Sequence, residues 1–398
     1  MVFGIPIEFF LFAATLLGVA MFHHRTLGVA LIGLAAILAY KFLFAGFDGH
    51  GGLGGLALHL EHEWVEIANL GLLLLGFAIL ARHFEQSQLP DLAPNILPSD
   101  WKGGLVLLAL VFVGSAFLDN IAAALIGVTV AAHVYRKRVH IGFLAAIVAA
   151  ANAGGAGSVV GDTTTTMMWV AGKSPLDVLH AYVGAGVALA VCAIPAVLVQ
   201  HSHAPMLAQP AGVRPDWARA AIVAYVLVCV IGVNVTANLF APTIATAWPL
   251  IGLTLWFAIL TAAPLRAPDW AVLPHALVDT AFLLALVLAA SLMPVEALPR
   301  ASWQTTLGVG FVSAVFNNIP LTALALQQGN YDWGLLAYAI GFGGSMVWFG
   351  SSAGVAVASL FPEAKSTLAW LRAAWFVPVA YVVGFFVMLG VMGWNAQP

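Results

Sequence analysis

Asp119 and Asn120 are adjacent and stand inside a long apolar run. Asp162 stands in another, directly before Thr163, Thr164, Thr165 and Thr166. Carboxylate, amide and hydroxyl oxygens together suit a hard cation such as Na+. A carboxylate withdrawn from water also holds a proton more firmly than one in solution. A site at Asp119 and Asp162 that takes either Na+ or H+, but not both, has the minimum chemistry for exchanging one against the other. Asn120, Thr163 and Thr164 are candidates to complete the oxygen shell. Asn317, Asn318, Ser345, Ser351 and Ser352 can add neutral oxygens from the C-terminal half. The plainer reading of each aspartate is a helix cap or an ion pair. Neither has a basic neighbour in its apolar run.

What surrounds these residues must exclude water. Of 398 residues, 62% are hydrophobic and only 8% are charged, against about 25% charged in a soluble domain. The 14 basic and 17 acidic side chains cannot cover a water-facing surface of that size. A bilayer removes the requirement, because lipid solvates apolar faces. There a carboxylate at mid-depth costs about 2.5–3.5 kcal/mol on insertion scales, so it is kept for a purpose. The net charge of −3 names no partner, and neither nucleic acid nor an organic cofactor is expected. No nucleophile motif points to an enzyme. Cys192 and Cys229 both sit in apolar runs and read as small core residues.

One span takes about 20 residues, so the chain has room for about ten. Apolar runs fall near 3–22, 27–46, 64–83, 141–170, 178–200, 217–238, 243–263, 271–291, 333–360 and 373–394. The first reads as a retained helix, since it lacks a basic start and a clear cleavage site. Two further runs, 103–134 and 302–328, are each interrupted at mid-length, by Asp119-Asn120 and by Asn317-Asn318. They read as re-entrant helical hairpins. With both hairpins entering and leaving on one side, His23, His24, Arg25, Lys102, Arg136, Lys137, Arg138, Arg214, Arg219, Arg266, Lys365 and Arg372 all fall on the cytoplasmic side, and Lys173 is the exception. Three spans, a hairpin, a broken span and a final span then make residues 1–200. The same series makes 216–398, inverted, and a proline-bearing linker, 201–215, joins the halves.

The halves also match letter by letter. Ser115-Ala-Phe-Leu-Asp-Asn-Ile121 aligns with Ser313-Ala-Val-Phe-Asn-Asn-Ile319. Gly154, Gly155 and Gly161 align with Gly343, Gly344 and Gly350 at identical spacing, which pairs Asp162 with Ser351. Small residues also serve close helix packing in membranes. Glycine-interrupted spans at matched places in two halves are nevertheless the best sequence pointer to a transport site. A second charged cluster, His59, His62, Glu63 and Glu66, lies on one helical face. It reads as a helix start at the water interface rather than a metal site, with Glu66, the deepest, as a candidate for proton access.

The run from Asn152 to Trp169, NAGGAGSVVGDTTTTMMW, resembles the signature of NhaD-type Na+/H+ antiporters. Ser115 to Asn120, Glu66 to Asn69, Asn318-Ile-Pro320, Gly343-Gly-Ser345 and Gly350 to Gly354 resemble further motifs of that family. The likeness covers most of residues 60–385. It implies the ion transporter superfamily: an all-α membrane protein with two hairpins and two broken helices, working as a homodimer in the bacterial cytoplasmic membrane by an elevator-type movement. It implies Na+ or Li+ and H+ as the transported ions, with Na+ at Asp119 and Asp162. One departure is plain: the family pattern has an aspartate where this chain has Asn317. The alternative is a Na+-coupled carrier of a small anion such as a di- or tricarboxylate, which would have to hold its substrate without a deep arginine.

Overall fold

The computed structural model describes residues 6–22, 25–47, 50–89, 92, 97–158, 161–206, 214–294, 299–316 and 318–397. Of the residues singled out above, His23, His24 and Asn317 lie outside that set, as does the side chain of Glu66. The chain is an all-α membrane protein. Its helices run in order α1 (Ile7–Met21), α2 (Thr26–Tyr40), α3 (Gly52–Gln86), α4 (Trp101–Ser115), α5 (Asn120–Val134), α6 (Ile141–Ala156), α7 (Thr163–Val170), α8 (Pro175–Leu179), α9 (Ala181–His203) and α10 (Trp217–Phe240). They continue through α11 (Pro242–Ala247), α12 (Leu250–Ala262), α13 (Leu273–Ser291), α14 (Trp303–Ser313), α15 (Asn318–Gln328), α16 (Trp333–Gly343), α17 (Ser352–Leu360), α18 (Thr367–Ala373) and α19 (Phe376–Met392).

Among the described residues, four segments are long and apolar enough to cross a bilayer unaided: Thr26–Ala45, Ile67–Gln86, Pro175–His203 and Trp270–Ser291. The pair α18 and α19, bent by 61°, makes a fifth if counted as one. Several of the other apolar helices are shorter, because the interrupted runs are divided into separate helices. The interruptions fall at the polar and glycine positions. Residues 116–119 separate α4 from α5, 157–162 separate α6 from α7, and 344–351 separate α16 from α17.

The chain forms two compact units that do not follow the sequence halves. One comprises Met1–Leu80, Ala224–Arg300 and Ile319–Gly329; the other comprises Ala81–Val223, Ala301–Asn318 and Asn330–Pro398. Each unit therefore draws on both halves, although α15 beyond Asn318 falls in the first unit and its register partner α5 in the second. In the first unit, α1 and α2 pack closely because a side chain at Gly33 would meet Thr15 Oγ1 at 2.1 Å. On α3, Asn69 Oδ1 accepts from the backbone N–H of Gly252, and Leu72 O accepts from Trp256 Nε1, which ties α3 to α12.

The second unit is organised around α6 and α16, which pack on each other. Every residue of α16, and every residue of α6 after Ile141, is buried. A helix that is apolar all round belongs inside. Matched glycines let neighbouring backbones reach it. A side chain at Gly154 would stand 2.0 Å from Phe112 O on α4, and one at Gly343 would stand 2.3 Å from Gly310 O on α14. Ser115 Oγ donates to Ala151 O at 2.6 Å, and its counterpart Ser313 Oγ donates to Ile340 O at 2.8 Å. The letter match thus extends to the contacts those letters make. Lys173, the one basic residue against the charge bias, has its ammonium 4.5 Å from the centre of the Trp333 ring. A cation over an aromatic face is attracted by the ring quadrupole.

The start of α6 carries an unusual cap. His140 Nδ1 accepts from the backbone N–H of Gly142 at 3.1 Å, so the ring is neutral with its proton on Nε2. Burial pushes the imidazole below its ordinary value of 6.5, and the neighbouring His203 pushes it further. The folded protein then binds fewer protons here than the unfolded chain. The cap's contribution, about 1 kcal/mol, is complete above pH 6.5 and is lost as pH falls toward the lower folded value. Amide exchange at Gly142 and Phe143, corrected for intrinsic chemistry, is expected to accelerate as pH falls below that point. His140→Asn, which caps without titrating, should remove the acceleration. Equal acceleration in both proteins would count against the cap.

Candidate functional site

Three helix starts carry the site in the second unit. Asp119 is the N-cap of α5 and accepts from Ile121 N at 2.9 Å. Asp162 is the N-cap of α7; its Oδ1 accepts from Thr164 N at 3.3 Å, and its Oδ2 from Thr164 Oγ1 at 2.8 Å. Ser351 is the N-cap of α17 and accepts from Gly354 N at 3.2 Å. Asp, Asn and Ser are the residue types that cap best, because a short side-chain oxygen reaches the orphan N–H groups. The plain reading of the aspartates as caps is therefore true, and it leaves their charges unanswered. Asp119 is 7% exposed and Asp162 is 2% exposed. Among the described residues, neither forms an ion pair with a basic side chain.

A chain of amides joins these starts. Asn120 Nδ2 donates to Asp162 Oδ1 at 3.3 Å and to Asn152 Oδ1 at 3.2 Å. Asn152 Nδ2 donates in turn to Ser345 Oγ at 2.9 Å and to Ser351 Oγ at 3.0 Å. Asp162, Asn120, Ser345 and Ser351 are thus brought into one network, as their types and spacing suggest. Asn152 is the member absent from the sequence-based set. It is fully buried in the middle of α6 and touches groups from both halves. The available signal was a lone amide in an otherwise apolar or small-residue helix.

The other candidates are placed as follows. Thr163 opens α7 and is half-buried. Thr165 and Thr166 donate their hydroxyls to Asp162 O at 2.8 and 3.0 Å, which fixes the backbone at the turn. Asn318 is buried at the start of α15, and Ser352 opens α17. Glu66 lies on α3 in the other unit. In its cluster, His59 Nε2 is 2.9 Å from Ser291 Oγ, whose hydroxyl donates to Leu288 O, so His59 is the donor. His62 Nδ1 bonds Leu58 O instead. Among the described residues, no group of three or more His, Cys, Asp or Glu is placed to hold a metal.

Glycine leaves room beside the charge. A side chain at Gly341 on α16 would stand 3.6 Å from Asp162 Oδ2, and one at Gly155 would stand 3.0 Å from Asp162 Cβ. Gly341 is the register partner of Asn152. One half therefore supplies an amide at this position, and the other supplies space next to a carboxylate oxygen. Asp162 thus lies in a buried network of amides and hydroxyls, while Asp119, beside Asn120 in the chain, accepts from the backbone of its own helix.

The chain is similar to sodium/proton antiporters. It is 26% identical over 351 residues to sodium/proton antiporter 2 of Arabidopsis thaliana, covering 77% of this chain and 81% of that protein. It is 28% identical over 343 residues to sodium/proton antiporter 1 of the same plant, covering 75% of this chain and 58% of that protein. No family model matches.

Proposed function

We propose that this chain is a secondary transporter of NhaD type that exchanges Na+ or Li+ for H+, with Asp119 and Asp162 holding cation and proton in turn. The observation that carries the reading is the presence of two buried carboxylates that have no basic partner among the described residues. Leaving such charge uncompensated costs several kcal/mol per ion. Something mobile must balance it, and the groups around it are oxygens suited to an alkali cation or a proton. The likeness to two named sodium/proton antiporters supports the same assignment. A small anion would meet negative charge here and, among the described residues, no arginine bonded to the network, so it is disfavoured. On this reading the chain works in the cytoplasmic membrane of a bacterium, and the charge bias supports an inward-facing loop at Arg136, Lys137 and Arg138.

Alternating access needs loaded sites that cross at low cost. Protonated carboxylates are neutral, and a bound Na+ cancels one charge, so each substrate makes the pocket easier to carry than the empty one. Na+ and H+ then compete for the same oxygens. Purified protein in vesicles with an internal pH dye should release protons on addition of Na+ or Li+. The concentration of Na+ needed for half-maximal response should rise as pH falls. No pH change with Na+, Li+ or K+ would reject the proposal.

A further inference from the structure

Two stretches of non-helical backbone carry the aspartates. Residues 116–119 form the hairpin tip between α4 and α5, and residues 157–162 form the break between α6 and α7. Asp119 closes the first stretch and Asp162 the second. Backbone that has left its helix lacks the intrahelical bonds that would hold it, so its geometry depends on what else it touches. The placement of each carboxylate is therefore only as well defined as the stretch that bears it.

Ser158 ties the two stretches together. Its Oγ donates to Ala116 O of the hairpin tip at 2.5 Å and accepts from Gly161 N at 3.1 Å. Its backbone N–H donates to Gly155 O, at the end of α6, at 2.9 Å. Its carbonyl accepts from Thr165 Oγ1 in the first turn of α7. One residue thus bonds the end of α6, the break, the start of α7 and the hairpin tip. The end of α6 is itself fixed from α9: Tyr182 Oη donates to Gly154 O at 3.0 Å, and its ring leaves no room for a side chain at Gly157. On the other side of Asp119, the Asn120 amide bonds Asp162 and Asn152. Asp119 accordingly stands between two tethers to the same segment, one at Ala116 and one at Asn120.

The tether at Ala116 belongs to one half only. Close packing is common to both halves: a side chain at Gly161 would stand 2.0 Å from Ser115 O, and one at Gly350 would stand 2.6 Å from Ala314 O. The hydrogen bond is not. Val347 occupies the register position of Ser158, and Ala314 that of Ala116. Valine has no hydroxyl to donate. The half that carries both carboxylates is the half that carries the tether, an asymmetry that packing alone does not require.

We infer that Ser158 is a positioning residue for the cation. It holds the tip bearing Asp119 against the break bearing Asp162, so that the two carboxylates keep their placement whether or not an ion is bound. The inference rests on the reading of these aspartates as the exchanging pair. A site ordered in advance binds more tightly, because the ion does not have to order the backbone that receives it.

The test uses the whole chain in vesicles with an internal pH dye. Ser158→Ala should raise the Na+ concentration for half-maximal proton release about 10-fold, the lower end of what losing a ligand-positioning bond costs a cation site. The rate at saturating Na+ should change much less. Ser158→Thr, which keeps the hydroxyl, should restore the response, and Ser158→Cys, a weaker donor, should fall between. Amide exchange over residues 116–121 should accelerate in Ser158→Ala and not in Ser158→Thr. A lower melting temperature with an unchanged half-maximal Na+ concentration would assign Ser158 to structure alone and overturn the proposal, as would unchanged amide exchange at the tip. Should Ser158→Ala fail to fold, Ser158→Cys carries the same comparison. An unaltered chain that neither exchanges Na+ nor is stabilised by it removes the carboxylate reading itself, a failure recognisable without any Ser158 variant.

Discussion

Asp162→Asn is expected to lower Na+-driven proton release by roughly 100-fold or more while leaving the protein folded. Asparagine caps a helix about as well as aspartate, and its Oδ1 can still accept from Thr164. What disappears is the charge. Losing one member of a buried charge pair is worth about 3–5 kcal/mol, and each 1.4 kcal/mol is a factor of ten in affinity. The same substitution should make the Na+-free protein more heat-stable, because an uncompensated buried charge is gone. It should also abolish the rise in melting temperature that Na+ gives the unaltered chain, a rise that follows from binding to the folded state alone. The two readouts separate an ion ligand from a mere cap. If Asp162 served only to cap α7, exchange and Na+-dependent stabilisation would both survive the change. Exchange at the unaltered rate in Asp162→Asn would remove Asp162 from the mechanism.

Much of this arrangement is legible in the sequence because membranes penalise polarity so heavily. Asp119, Asp162 and Ser351 stood out as polar residues in apolar runs, and each caps a helix beside a glycine-bearing break or hairpin tip. The paired glycines were readable for a similar reason. Close backbone approach leaves no room for Cβ at Gly154 or Gly343, so the identity of the residue records the contact. Other features carry no such mark. Where each helix stops is one: the glycines mark 141–170 and 333–360 as interrupted spans, but hydropathy does not place the ends, which come after Ala156 and after Gly343. The partition into two units cannot be read from chain order, because each unit draws on both halves.

Asn152 is the clearest residue that spacing did not single out, and its replacement should have the second-largest effect. Its Oδ1 accepts from Asn120, and its Nδ2 serves both Ser345 and Ser351. The halves match in backbone but not in charge, with Ser351 where the other half has Asp162. Asn152 is the piece that hydrogen-bonds the charged half to the neutral one. Asn152→Leu fits the volume approximately but removes both functions of the amide. Each buried polar partner left unsatisfied costs about 1–3 kcal/mol. With several partners affected, stability should fall by roughly 3–6 kcal/mol, read as a lower melting temperature. Asn120 would also lose one of its two acceptors, so the amide that orients Asp162 is held less firmly. Exchange should therefore fall even in vesicles kept cold enough for the variant to stay folded. Asn152→Gln, which keeps the amide but displaces it by one methylene, should recover stability more than transport, because a cation shell is more sensitive to position than a packing interaction is. Full transport in Asn152→Leu at low temperature would show that the amide is structural only, and would leave the ion site to the two aspartates and their own caps.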